Sequence, residues 1–233
     1  MKTILFDLDG TLLPMDQDKF VRGYMKRLTT RFAPMGYSPE KLVNCIWAGM
    51  TAMVQNSGEQ TNEAVFWACF AEAFGSERLA DKELFSDFYR GDFNLSAADC
   101  GFNPAAKQTV DKLKSMGYEV VLATNPVFPA VATENRIRWA GCEPSDFKLI
   151  TTYENSCHCK PNTAYFQDVI TALGRDTSEC LMVGNDTGED LPCAELGAQV
   201  FLLTDCLINT RNVDVNRWPH GSFDDLLTFI QGL

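Results

Sequence analysis

From Tyr118 to Leu203, short apolar runs alternate with helix-like stretches, and this alternation limits the fold more than any other feature of the chain. Tyr118–Ala123, Cys180–Val183 and Gln199–Leu203 are brief, apolar and rich in β-formers, as strands covered on both faces are. Phe147–Ile150 reads as a weaker strand. Helical stretches lie between them. Asn103 with Pro104 marks a helix start, Val110, Leu113 and Met116 form its apolar stripe, and Gly117 stops it. Helices over Pro161–Leu173 and Leu191–Leu196 end at Gly174 and Gly197. Ser222, with Asp225 three residues on, starts a last helix over Phe223–Ile230. The pattern predicts an α/β fold built on a doubly wound parallel sheet.

Residues 16–98 follow another rule. They read as consecutive helices with no convincing strand. Ser38-Pro39-Glu40 opens one that carries Leu42, Val43, Ile46, Trp47 and Met50. Thr61 opens another with Val65, Phe66, Cys69, Phe70 and Phe74. Leu84, Phe85, Phe88 and Tyr89 mark a third. The alternative is that these helices simply flank the sheet, but about 80 residues of uninterrupted helix is a lot for one crossover. The division expected is therefore a core of residues 1–15 and 99–233 with a helical domain, 16–98, inserted after the first strand.

That first strand ends in chemistry. Met1-Lys2-Thr3-Ile4-Leu5-Phe6 runs into Asp7-Leu8-Asp9-Gly10-Thr11-Leu12. Two carboxylates this close are costly to hold unless a cation or a proton separates their charges. Ligands of an open α/β sheet bind at the carboxyl ends of its strands. Three further segments fall there: Thr124-Asn125, Lys160-Pro161, and Gly184-Asn185-Asp186 through Asp190. Carboxylates, one lysine and one hydroxyl suit a bound Mg²⁺ and a phosphoryl group, since Mg²⁺ takes carboxylate, water and phosphate oxygens.

The four segments, in this order and at this spacing, resemble the haloacid dehalogenase superfamily, specifically its phosphatase branch. The resemblance covers residues 1–15 and about 100–233, and implies a Rossmann-like core with an inserted helical cap that closes over the site. It implies an Mg²⁺-dependent hydrolase of a small-molecule phosphomonoester. Asp7 would be the nucleophile that forms an aspartyl-phosphate. Asp9 would protonate the leaving oxygen and then activate water. Asp7, the Asp9 carbonyl and Asp186 would hold the metal, and Asp190 would bind it through water or orient Lys160. Gly10, Thr124 and Asn125 would meet the phosphoryl oxygens with Asp9, and Lys160 would offset their charge. Asn185 stands where some relatives carry a second acid. Asp9 argues against the dehalogenase branch, whose halide leaving group needs no proton. Substrate choice is expected in the cap and in the loop Leu13–Asp18. A phosphosugar mutase of the same superfamily, or a metabolite-binding relative without turnover, are the alternatives.

Other features read more plainly. Cys157-His158-Cys159 invites zinc, but adjacent residues cannot readily surround a tetrahedral ion and no second pair stands at metal-site spacing. A loop at the site's edge is the better reading. His220, beside Pro219 and Gly221, reads as a turn residue. Trp47, Phe66, Trp67, Phe70 and Phe74 read as core more than as a ligand box, with a few of them open to lining the substrate cavity. Arg22, Tyr24 and Lys26 are candidates to meet an anionic substrate, but a solvated helix face is the better reading. The net charge of −11 argues against nucleic acid or an anionic membrane as partner. No apolar run approaches the ~20 residues of a membrane span. Nine cysteines, an odd number, in mostly apolar settings and with no signal-peptide pattern ahead of Asp7 point to reduced thiols in the cytoplasm.

Overall fold

The computed structural model describes residues 1–233. Five parallel strands form one sheet in the order β2-β1-β3-β4-β5. They are β1 (Thr3–Phe6), β2 (Glu119–Leu122), β3 (Cys180–Gly184), β4 (Gln199–Leu203) and β5 (His220–Gly221). The chain is α/β and doubly wound. Alternate residues of each strand point to opposite faces, so Ile4, Phe6, Val120 and Leu122 enter one apolar cluster. Leu5, Val121, Met182 and Val200 enter the other.

The second cluster packs on Tyr165, Phe166 and Val169 of helix α7 (Thr163–Ala172). The first is covered by α5 (Pro104–Ser115), α6 (Ala130–Trp139) and α8 (Phe223–Gln231). It also runs without a break into four helices that precede β2: α1 (Gln17–Phe32), α2 (Pro39–Val54), α3 (Asn62–Phe74) and α4 (Lys82–Arg90). Side-chain caps start most of these helices. Asp16 accepts from Lys19 N, Ser38 from Lys41 N and Thr61 from Ala64 N. The chain enters the helices at Pro14–Met15 and leaves at Cys100–Gly101, where the two segments pair and Gly101 N donates to Pro14 O at 2.7 Å.

Several expectations need correction. Phe147–Ile150 is not a strand: it runs beside β2, with Lys148 N donating to Val120 O and Leu122 N to Leu149 O, but closes only one bridge, Leu122 to Ile150. Leu191–Leu196 is a 3₁₀ segment, with Pro192 in its first turn. The helix expected from Pro161 begins at Thr163, because the Asn162 side chain caps it through Ala164 N. Met116 lies past the end of α5 and is exposed. His220 belongs to β5, not a turn. No helix is long and apolar enough to cross a membrane.

Candidate active site

Strand order 2-1-3-4-5 reverses direction between β1 and β3, and a crevice opens at the carboxyl ends of strands at such a point. Asp7 N donates to Val183 O and Ala123 N to Phe6 O, so β1 is held on both sides until its last residue. The chain then turns sharply. Thr11 N and Leu13 N both donate to Leu8 O. Gly10 sits at φ +87° with Asn185 packed where a Cβ would stand, so glycine is required on both counts.

Lys160 is the centre of the charge network. Its Nζ is fully buried and lies 2.9 Å from Asp7 Oδ1 and 2.7 Å from Asp190 Oδ1. Burial alone would lower the lysine's proton affinity, but Asp190 and Asp7 hold it well above the ordinary value. Asp190 Oδ2 accepts from Asp186 N at 3.0 Å, so both Asp190 oxygens are engaged. Asp7 Oδ2 and Asn185 Oδ1 share the single Thr11 hydroxyl, at 3.2 and 2.9 Å. Asn185 also donates to Cys206 O at 2.8 Å, which commits its side chain to the loop after β4.

Asp186 Oδ1 accepts from Gly188 N and Glu189 N, at 2.7 and 3.3 Å. Thr124 is held from behind: its carbonyl accepts from Thr151 Oγ1 at 2.7 Å and Tyr165 OH at 2.8 Å. Asn125 Nδ2 donates to Glu189 Oε1 at 3.1 Å, while its Oδ1 is buried without a partner. Asp7, Asp9, Thr124, Asn125, Asp186 and Asp190 all line one pocket, with a cavity volume of about 160 Å³. Lys160 lies behind Asp7 and Asp190, fully buried.

Negative charge exceeds positive here. Asp7, Asp9, Asp186, Glu189 and Asp190 face only Lys160 and Arg136. Burial pushes Asp7 up to about 7, against the pull of Lys160 and with help from Asp190 and Asp9. Burial likewise raises Glu189 to about 7, and raises Asp9 and Asp186. Such an excess suits a divalent cation. The donor set fits one: the Asp9 carbonyl takes no backbone hydrogen bond, and both protein contacts of the Asp186 carboxylate fall on Oδ1, leaving Oδ2. No three acidic, cysteine or histidine side chains converge as a cluster. A hard cation that completes its shell with a backbone oxygen and water does not require one.

Residue patterns gave no warning of three neighbours. Arg136, on α6, pairs with Asp9 Oδ2. Glu189, one of several acids after β3, reaches Asn125. Asn62, the first residue of α3, donates to Pro126 O at 3.2 Å and His158 O at 3.4 Å, which ties the helices to the loops bearing Asn125 and Lys160. Tyr24 is not on a solvated face; it is buried and lines the pocket, whereas Arg22 and Lys26 are exposed. Trp47 is 45% exposed and also lines the pocket, so it is not core. In the Cys157-His158-Cys159 loop, His158 pairs with Asp168 and Cys159 is buried beside Asn62.

A model of the haloacid dehalogenase-like hydrolases matches residues 1–196. The chain belongs to that family. As a haloacid dehalogenase-like hydrolase it is similar to a ribulose-1,5-bisphosphate 5-phosphatase of Halopiger xanaduensis, 24% identical over 195 residues, covering 81% of this chain and 78% of the relative. It is also similar to the pyrophosphatase PpaX of Bacillus velezensis, 24% identical, covering 78% and 74%. Among solved structures, a phosphatase of the same superfamily from Thermococcus onnurineus superposes with a TM-score of 0.61 at 16% identity, covering 100% of this chain and 99% of that one. A 2-haloacid dehalogenase from Pseudomonas syringae gives 0.63 at 17% identity, covering 100% and 99%. At these identities the structural likeness establishes the fold of the hydrolase and leaves its chemistry to the site.

Proposed function

We propose that this hydrolase is an Mg²⁺-dependent phosphatase that cleaves a small-molecule phosphomonoester through an aspartyl-phosphate on Asp7. The observation that carries the reading is the pairing of Asp7, held by Lys160 and Thr11, with Asp9, whose Oδ1 is buried and unpartnered in the same pocket. A nucleophile held by a buried cation, beside a carboxyl group whose proton affinity burial raises, suits phosphoryl transfer. The names of the curated relatives, a bisphosphate 5-phosphatase and a pyrophosphatase, agree with release of phosphate from a small molecule and leave the leaving group open.

An Asp7 oxygen attacks phosphorus, and the bond from phosphorus to the ester oxygen breaks. Asp9 gives its proton to that oxygen as it leaves. Water then attacks the phosphorus of the aspartyl-phosphate, Asp9 takes a proton from it, and phosphate and free Asp7 result. Thr124 and Asn125 orient the phosphoryl oxygens, and Lys160 offsets their charge. Asp7, the Asp9 carbonyl and Asp186 would hold Mg²⁺, which supplies positive charge against the phosphoryl group. Asp190, engaged with Lys160 and Asp186 N, is assigned to orienting Lys160. Gly10 lets the turn pass close to Asn185.

Residues 16–98 are read as a cap over a core of 1–15 and 99–233. In support, the pocket lies between α1 and α2 on one side and the strand-end loops on the other. A reducing, cytoplasmic setting belongs to the same reading; each of the nine cysteines is buried or half-buried, as small apolar core residues are.

Hydrolysis of p-nitrophenyl phosphate with Mg²⁺, with EDTA and with Asp7→Asn tests the reading. Phosphate release that needs Mg²⁺ and is lost in the variant is expected. Equal release in EDTA would remove the metal from the account, and release by Asp7→Asn would remove the nucleophile. Mg²⁺ should also raise the melting temperature, and Asp186→Asn should abolish that rise.

A further inference from the structure

We propose that the substrate of this site is an alkyl or aryl phosphomonoester with an uncharged, apolar leaving group; the inference rests on the phosphomonoesterase reading above. The pocket that the acids line also has an apolar wall: Phe20, Tyr24 and Met25 of α1, Trp47 and Met50 of α2, and Phe128 of the loop after β2. No lysine, arginine or histidine lines it. Lys160 and Arg136 are fully buried behind Asp7 and Asp9 and already paired.

Polar handles are equally scarce on that wall. The Tyr24 hydroxyl is bound to Tyr89 OH at 2.8 Å. Its ring meets Phe128 edge-on at 5.6 Å. Apart from Tyr24 and the Trp47 ring, Gln17, at the exposed start of α1, is the one polar side chain that residues 16–98 add. The apolar surface continues. Tyr24, Met50, Val127 and Phe128 also line a neighbouring pocket that reaches Phe66, Trp67 and Phe85. That pocket's single cation, Lys82, is exposed and lies 5.0 Å over the Trp67 ring.

A second phosphate or a carboxylate on the leaving group would enter a pocket that already carries excess negative charge and would find no cation there. Desolvating an unpaired charge is strongly unfavourable. The same argument weighs against a phosphosugar mutase, which must hold a phosphate at each end of its substrate. An alkyl chain or an aromatic ring instead gains by leaving water.

The experiment is a series of n-alkyl phosphates from ethyl to hexyl, whose leaving oxygens are matched in basicity, set against glycerol phosphate, inorganic pyrophosphate and a hexose bisphosphate. Specificity, kcat/KM, should rise about three- to fourfold per methylene until the pocket is filled. Trp47→Ala should flatten that rise, and Met50→Lys should flatten it and improve the bisphosphate. Binding of n-alkylphosphonates, measured by calorimetry, reads the same surface without turnover and should tighten with chain length. A flat series, or preference for pyrophosphate or the bisphosphate, overturns the inference. If no ester were turned over while phosphonate affinity still climbed with chain length, the phosphatase reading would fall and the apolar ligand class would stand.

Discussion

The Arg136 guanidinium binds one carboxylate oxygen of Asp9, Oδ2, and leaves the other, Oδ1, buried and without a protein partner. Arg136 is itself fixed. It stands 4.3 Å over the Phe128 ring, its Nε donates to Ala132 O and its Nη2 to Thr133 Oγ1. The orientation of Asp9 is therefore set from α6, and in the proposed mechanism the free oxygen would be the one that carries a proton to the leaving group. Lysine keeps the charge of Arg136 but not the planar fork. Arg136→Lys should lower kcat by about ten- to a hundredfold through misplacement of Asp9, with KM little changed and the melting curve retained. An unchanged kcat would assign Arg136 to folding alone.

Asp9→Asn removes the proton and keeps the shape. The loss should be largest where the leaving oxygen needs protonation. In kcat/KM, which reads the phosphorylation step alone, alkyl phosphates should fall by about 10²–10⁴-fold, and p-nitrophenyl phosphate by much less. Parallel kcat/KM values on both classes are the measurement, and equal losses would contradict the acid role.

Lys160 is the single cation between Asp7 and Asp190. Lys160→Met leaves two buried carboxylates facing each other and should cost about 3–5 kcal/mol of unfolding free energy, read from urea titration. Adding Asp190→Asn should recover part of that loss. Strict additivity of the two substitutions would show that the pair is not coupled.

Acid should loosen the helices by a known route. Tyr37 OH donates to Asp81 Oδ2 at 2.6 Å, and Arg78 joins it at 3.1 Å. The Tyr37 hydrogen bond and Arg78 hold Asp81 below the usual aspartate range. A carboxyl group with a lowered folded value contributes stability above its unfolded value, and loses it as pH falls through the folded one. Asp81→Asn should thus cost about 1 kcal/mol at pH 7, the pair being partly screened by solvent, and almost nothing once the pH has fallen below the folded value of Asp81. Urea midpoints of both proteins at the two pH values decide it; an equal cost at both would contradict the assignment.

Much of the site was legible because strand ends are legible. Asp7, Thr124 and Asp186 each follow an apolar run, and the sheet rule alone brings them to one edge. Arg136 was not legible. Its partner Asp9 is 127 residues away, and nothing in the spacing of α6 marks a side chain that crosses to another strand's end. β5 escaped notice since two residues suffice when β4 supplies the template. Phe147–Ile150 has strand composition but lies beyond β2, where one bridge ends the pairing. Tyr24 and Trp47 show a third limit. Apolar periodicity predicts which residues leave water, and a core and a ligand wall share that pattern.

The covalent intermediate is the central claim. Asp9→Asn, mixed with p-nitrophenyl phosphate and Mg²⁺ and quenched in acid within a turnover, should gain the mass of one phosphoryl group. Peptide mapping should place it on Asp7, since the step that needs a base is the one this variant slows. A chain that releases p-nitrophenol in the first turnover and never carries the phosphoryl group would contradict the account.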